Sequence, residues 1–264
     1  MKKIAFCFLI YDGINQEELW HHFFKNVDKN KYSIYIHYKY NKPLTYFEHC
    51  KINNGIPTKY ENETIPLAYN VVLRNAYMDA DNYKFIMVSG SCVPFKSFDF
   101  MYNQLMNDNY GYFTVCPPIQ CFPNCNSLLN VMERKFIAKS HNWFILNRKL
   151  LENLCFDKDD ILKQHFNTIY APAEYFYYTF VKLLNLENEI ITSSDLIPND
   201  NITFTNWGIP SYKYPSTSGF KTYSFFDEEE LDYLLNSKCF FGRKVDSKCP
   251  LLANKKYMDC ITSA

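Results

Sequence analysis

Phe85-Ile-Met-Val-Ser-Gly-Ser-Cys-Val-Pro94 decides the fold of this chain. Tyr83–Val88 is a short apolar run of the kind a strand buried on both faces requires. It passes directly into a turn of small residues, Ser89-Gly90-Ser91-Cys92, and Pro94 ends it. Open α/β sheets bind ligands in turns of that kind, at the C-terminal ends of their strands. Upstream, Lys3–Tyr11 reads as a first buried strand and Tyr32–Tyr38 as a second. Between them, Asn15 and Glu18 have the spacing of a capping box, for a helix that turns Leu19, Trp20, Phe23 and Phe24 inward. Leu67–Ala76 predicts a helix leading into the third strand.

Downstream, residues 111–139 are prolyl and read as irregular. Trp143–Asn147 predicts a strand, Arg148–Leu154 a helix, and Pro172 opens a helix through about Leu184 with Glu174 in its first turn. Ile202–Thr205 predicts a short strand before Trp207-Gly208. A last helix carries Asp227 and Glu230 at capping-box spacing and a staple of Phe226 with Leu231, and faces Leu231, Leu234 and Leu235 inward. Alternating strands and helices, with no repeat or linker, predict one α/β domain over residues 1–264.

The 264 residues carry 28 basic and 28 acidic side chains, so no bulk charge favours nucleic acid. The 22 Tyr and 23 Phe suit a core and also sites that stack sugar rings. Lys2-Lys3 before an apolar run imitates a leader, but Asp12 ends the run and no cleavage site succeeds it. No apolar run reaches membrane-spanning length. The chain therefore reads as soluble, cytoplasmic or viral in a host cell, and as Golgi-lumenal only if it is a piece of a longer protein. Asn62-Glu-Thr64 and Asn201-Ile-Thr203 fit the glycosylation pattern and, without a leader, are expected to be unmodified.

The chain lacks a P-loop, GxGxxG, His-Glu-x-x-His and Gly-x-Ser-x-Gly. Cys116, Cys121 and Cys125 lack zinc-pair spacing and read as thiols or one local disulfide. Asp79-Ala80-Asp81 and Asp157-Lys158-Asp159 read as solvated turns. No metal ligand is expected. Phe240-Phe241-Gly242-Arg243-Lys244-Val245-Asp246 sets two adjacent cations after a glycine and reads as an anion seat, the glycine admitting a ligand to the backbone.

These segments fall in a telling order: Lys3–Tyr11, Tyr32-Ser-Ile-Tyr-Ile-His37, Phe85–Pro94, Ser140-His-Asn-Trp-Phe144, Ala171-Pro-Ala-Glu174 and Phe240–Asp246. From about residue 3 to 248 the chain resembles the core-2/I-branching β-1,6-N-acetylglucosaminyltransferase family, in its plant-type and xylosyltransferase-like branches. The resemblance implies a GT-A-like α/β/α sandwich with a mostly parallel central sheet. It would hold the nucleotide sugar in about residues 1–110 and the acceptor in about 111–264. It also implies inverting transfer from a UDP-sugar, most readily UDP-N-acetylglucosamine, to a glycan hydroxyl without a metal. Glu174 falls on the family's catalytic base, and Lys244 on its diphosphate cation, beside Arg243. Lys221 stands where a second family cation is an arginine. Trp207 resembles the tryptophan of the family's acceptor site; Tyr212 is read beside it as an aromatic that stacks on an acceptor sugar, and Tyr11, His37 and Ser91 are the expected nucleotide-binding residues. Ser91-Cys92 replaces a Met-Asp of some animal members, and Lys39 an acidic residue. UDP-xylose, UDP-glucose and UDP-glucuronate are alternative donors, and an inactive lectin-like glycan binder is the alternative class.

Overall fold

The computed structural model describes residues 1–263. In chain order the elements are β1 (Lys3–Ile10), α1 (Glu17–Phe24), β2 (Tyr32–Tyr38), α2 (Thr64–Tyr77), β3 (Asn82–Ser89), β4 (Val93–Pro94), α3 (Phe98–Met106) and β5 (Gly111–Val115). They continue with β6 (Ile145–Asn147), α4 (Arg148–Cys155), α5 (Asp159–His165), α6 (Ala173–Leu183), β7 (Ile190–Ser194), β8 (Thr203–Thr205), α7 (Glu228–Leu235), β9 (Phe241–Arg243) and α8 (Lys255–Thr262).

The central sheet has the order β2-β1-β3-β6-β5-β7. β1 runs parallel to β2 and to β3, and β5 parallel to β7, whereas β6 is antiparallel to both of its neighbours. Period-2 alternation divides the strands between two cores. Ile4, Phe6, Phe8, Ile86 and Val88 face a layer containing α1, α3, α7 and α8, while Ala5, Cys7, Phe85 and Met87 face α2, α4 and α6. The result is an α/β/α sandwich with a mostly parallel sheet, as expected. Trp20 anchors the first layer: it is fully buried, and its indole N–H donates to the Cys92 carbonyl at 3.0 Å. That bond ties α1 to the turn after β3.

A second small sheet, β4-β9-β8, pairs the segment after β3 with the Phe240–Asp246 loop. Gly242 is required there by packing. A Cβ would lie 2.1 Å from Cζ of Phe95, which is fully buried. The glycine admits an aromatic ring of the chain itself, which corrects the expectation that it admits a ligand.

Several local expectations give way to tertiary partners. Asn15 caps nothing: its amide donates to the Val245 carbonyl at 2.8 Å, and Gln16, the residue before α1, donates to the carbonyls of Asp246, Ser247 and Cys249. Asp227 likewise makes no side-chain cap on α7, and Glu230 points into the core. Residues 111–115 form a strand where an irregular segment was expected, and loop and 3₁₀ turns begin only beyond Val115. β7, Ile-Ile-Thr-Ser-Ser, has no apolar run to announce it. The Asp-x-Asp pairs are not merely solvated. Asp79 binds Lys3 at 2.9 Å, and Asp159 binds Arg74 at 2.7 Å. All ten cysteines are free. Among the described residues, no helix is long and apolar enough to cross a membrane.

Candidate functional site

A cleft of about 570 Å³ draws residues from both halves of the chain, from Leu9 and Tyr69 to Glu174, Trp207, Arg243 and Lys244. Each reaches it for a local reason. Pro172 opens α6, where its missing N–H costs nothing, and that sets Glu174 in the first turn. The Glu174 N–H donates to the Ala171 carbonyl and its own carbonyl accepts from Ser140, so α6 and the Ser140–Phe144 segment are locked together. The Glu174 carboxylate lies 3.0 Å from the ammonium of Lys139, and both side chains are about three-quarters buried. Burial works to lower the Lys139 pKa, but the Glu174 carboxylate outweighs it and leaves that pKa raised.

Trp207 is held by its neighbours. The buried side chain of Asn206 accepts from the N–H groups of Gly208 and Ser216 and donates to the Tyr214 carbonyl and the Tyr223 hydroxyl. Gly208 has φ +73°, and a Cβ there would meet the Ser216 carbonyl at 2.5 Å, so glycine is required. This loop leaves Trp207 46% exposed, its ring packed on Phe220 at 4.5 Å between centroids.

The cations sit on the same aromatic shelf. The Arg243 guanidinium lies 4.2 Å from the Trp143 ring centroid, and the Lys244 ammonium 4.7 Å from that of Phe220. Burial lowers both pKa values, and Arg243 lowers that of Lys244 further. Arg243 Nε is buried without a hydrogen-bond partner, as are Asn142 Oδ1 and Thr205 Oγ1, all three on residues that line the cleft. Unpaired polar atoms at that density are what a polar ligand would satisfy.

Other residues singled out in the sequence lie elsewhere. Lys221 Nζ is 2.9 Å from Glu230 Oε2 and does not line the cleft. Glu230, 1% exposed, also accepts from the hydroxyls of Tyr223 at 2.6 Å and Tyr212 at 3.2 Å. Tyr212 is therefore core, buried against Phe204, and offers no face to a sugar. His37 is fully buried, its Nε2 accepting from the Ile56 N–H at 3.0 Å, and burial pushes its pKa down to about 4. The Ser91 hydroxyl is 3.2 Å from that of Ser89, and Tyr11 is exposed at the end of β1 against Tyr40. Sequence reasoning missed Lys139, Phe220 and His141 as site residues. His141 lines the cleft, and burial, with Arg243 and Lys139 near, pushes its pKa down to about 3.

The fold is that of the GT-A nucleotide-sugar transferases. The chain aligns with the galactosyltransferase LgtC, solved in complex with donor and acceptor sugar analogues, at a TM-score of 0.50 over 90% of this chain and 86% of that one. At 8% identity the likeness is one of fold alone. A model of the core-2/I-branching enzymes matches residues 4–234, and the chain belongs to that family. Relatives include glycosyltransferase BC10 of Oryza sativa subsp. japonica, 24% identical over 60% of this chain, and xylosyltransferase 1 of Rattus norvegicus, 36% identical over 25%. The matched regions span 41% of the rice protein and 8% of the rat protein.

Proposed function

We propose that the cleft transfers a sugar from a UDP-sugar, N-acetylglucosamine first among the candidates, to a glycan hydroxyl with inversion. The observation that carries this is the placing of a buried, unpartnered Arg243 Nε and Lys244 on one cleft with Glu174. Inverting transfer needs a base on one side of the anomeric carbon and charge neutralisation on the other. Glu174 takes the acceptor proton as the hydroxyl oxygen attacks, and the acceptor displaces Lys139 from its carboxylate. Arg243 and Lys244 neutralise the departing diphosphate, so no divalent ion stands between protein and phosphates. Trp207 and Phe220 give the acceptor an apolar face to stack on.

Hydrolysis of a panel of UDP-sugars, with water as acceptor, tests the donor and the mechanism together. UDP-N-acetylglucosamine should be cleaved at rates that adding or omitting Mg²⁺ or Mn²⁺ leaves unchanged. An absolute need for either ion would remove Arg243 and Lys244 from the leaving-group role. Faster cleavage of UDP-xylose, UDP-glucose or UDP-glucuronate would reassign the donor. Glycan binding without any UDP binding would make the protein a lectin-like relative.

A further inference from the structure

A smaller cavity that shares Lys139, His141, Glu174 and Trp207 with the cleft holds a second cluster of chemistry-bearing side chains. Val115 pairs with Ser194 in the parallel β5–β7 ladder, so the next residue of each strand, Cys116 and Asp195, leaves the sheet beside the other. Ser140 bridges Val115 from the other side, which brings in His141. All three backbones are pinned: Cys116 N–H donates to the Lys139 carbonyl at 2.9 Å, His141 to Thr114 at 2.8 Å, and Asp195 to Val115 at 3.2 Å. The thiol, an imidazole nitrogen and a carboxylate oxygen then lie within 4.8 Å of one another.

Asp195 supplies an independent sign of a missing partner. It is only 4% exposed; Gln120 donates to its Oδ2 at 3.0 Å, and its Oδ1 is buried with no donor except the weakly donating Cys116 thiol beside it. A buried carboxylate oxygen with neither a strong donor nor a cation is costly. The ammonium of Lys139, which shares this cavity, is held by Glu174.

We propose that Cys116, His141 and Asp195 bind a divalent transition ion of the zinc class. Its fourth position opens on a cavity of about 250 Å³ that Glu174 and Trp207 also line. The mixed sulfur, nitrogen and oxygen set suits zinc and excludes magnesium and calcium, which require oxygen throughout. Three protein ligands with one position left to solvent is the open arrangement, as distinct from a closed structural site. Bonds of about 2.0–2.3 Å set tetrahedral ligand atoms roughly 3.5 Å apart, so the side chains close in by on the order of 1 Å on binding. The thiol proton leaves to solvent as the sulfur coordinates. Gln120 becomes the outer-shell residue that orients Asp195. The ligands come from positions 116, 141 and 195, which is why no local spacing announced them and no metal was expected. The ion shares no ligand with Arg243 or Lys244 and does not depend on the donor reading.

Cobalt(II) titration of the metal-stripped full chain tests the site, read by thiolate-to-cobalt charge-transfer absorption, with UDP binding measured separately. One equivalent should give the band, and zinc should abolish it by displacement. Cys116→Ser should remove the band, whereas Cys121→Ser and Cys125→Ser keep it. Gln120→Ala should weaken cobalt binding by about 10–100-fold. If Cys116→Ser does not fold, Asp195→Asn and His141→Gln take its place, and each must lose the one-equivalent site. A band that survives in those variants, or no band in folded wild-type protein, overturns the assignment. UDP binding that persists without the band would overturn the metal site and leave the donor reading standing; the band without UDP binding would do the reverse.

Discussion

Lys221→Met is expected to damage the fold and leave donor binding untouched. The Glu230 carboxylate is 1% exposed and receives the Lys221 ammonium at 2.9 Å and the hydroxyls of Tyr223 and Tyr212. The substitution removes one charge-assisted bond, worth about 1.5–3 kcal/mol, and leaves a buried carboxylate with two neutral donors. Breaking a fully buried pair costs about 3–5 kcal/mol. Lys221 is 32% exposed, and the tyrosines remain, so the lower range applies and the loss should be about 2 kcal/mol. For a domain of this size that is a fall in Tm of roughly 4–8 °C. Thermal and urea melts measure it, and a UDP titration of the same variant supplies the control. An unchanged Tm with weakened UDP binding would refute the reasoning, because it would return Lys221 to the diphosphate role that the family resemblance implied.

Three other perturbations draw on the same geometry. Lys244→Ala should weaken UDP binding by about 10–100-fold, the loss of one charge-assisted contact, with little change in Tm; calorimetric titration measures it, and unaltered affinity would remove Lys244 from the diphosphate. His37 has its pKa pushed from an ordinary 6.5 down to about 4, so between those values the unfolded chain binds the proton that the folded one refuses. Stability is then full above about pH 6.5 and is lost, by on the order of 3 kcal/mol, as pH falls towards about 4; urea midpoints across that window should fall less steeply in His37→Gln, and an identical slope would contradict this. Gly242→Ala drives a methyl into the Phe95 ring and should cost about 1–3 kcal/mol; Phe95→Leu in the same chain should recover part of that loss in denaturant melts, and purely additive losses would count against the packing account.

Much of the sheet was legible because parallel strands buried on both faces read as unbroken apolar runs, as β1 and β3 do. β7 was not, since an edge strand with two exposed residues needs little apolar surface. Caps misled for a different reason. Asn15 and Glu230 have the right types at the right spacing, but the carbonyl of Val245 and the hydroxyls of Tyr212 and Tyr223 compete for them through the tertiary fold. In the cleft, Glu174 and Trp207 were found through the family resemblance, whereas Arg243 and Lys244 also carried a local sign, two adjacent cations after a glycine. Lys139 and Phe220 had neither: their place is set by the Ser140–Glu174 backbone bond and the fold of the Trp207 loop. Tyr212 shows the converse. Its aromatic ring was read as a sugar platform, but its hydroxyl is drawn to buried Glu230 and its ring goes with it.

Glu174→Gln is the most direct test of the proposed base, because it keeps the shape of the side chain and removes the proton acceptor. UDP affinity and the rate of sugar transfer or hydrolysis should be measured on the same preparation of wild type and variant. Binding of UDP should be unchanged, and turnover should fall by about 10²–10⁴-fold, the usual contribution of a general base. A fully active Glu174→Gln protein would contradict the proposed mechanism.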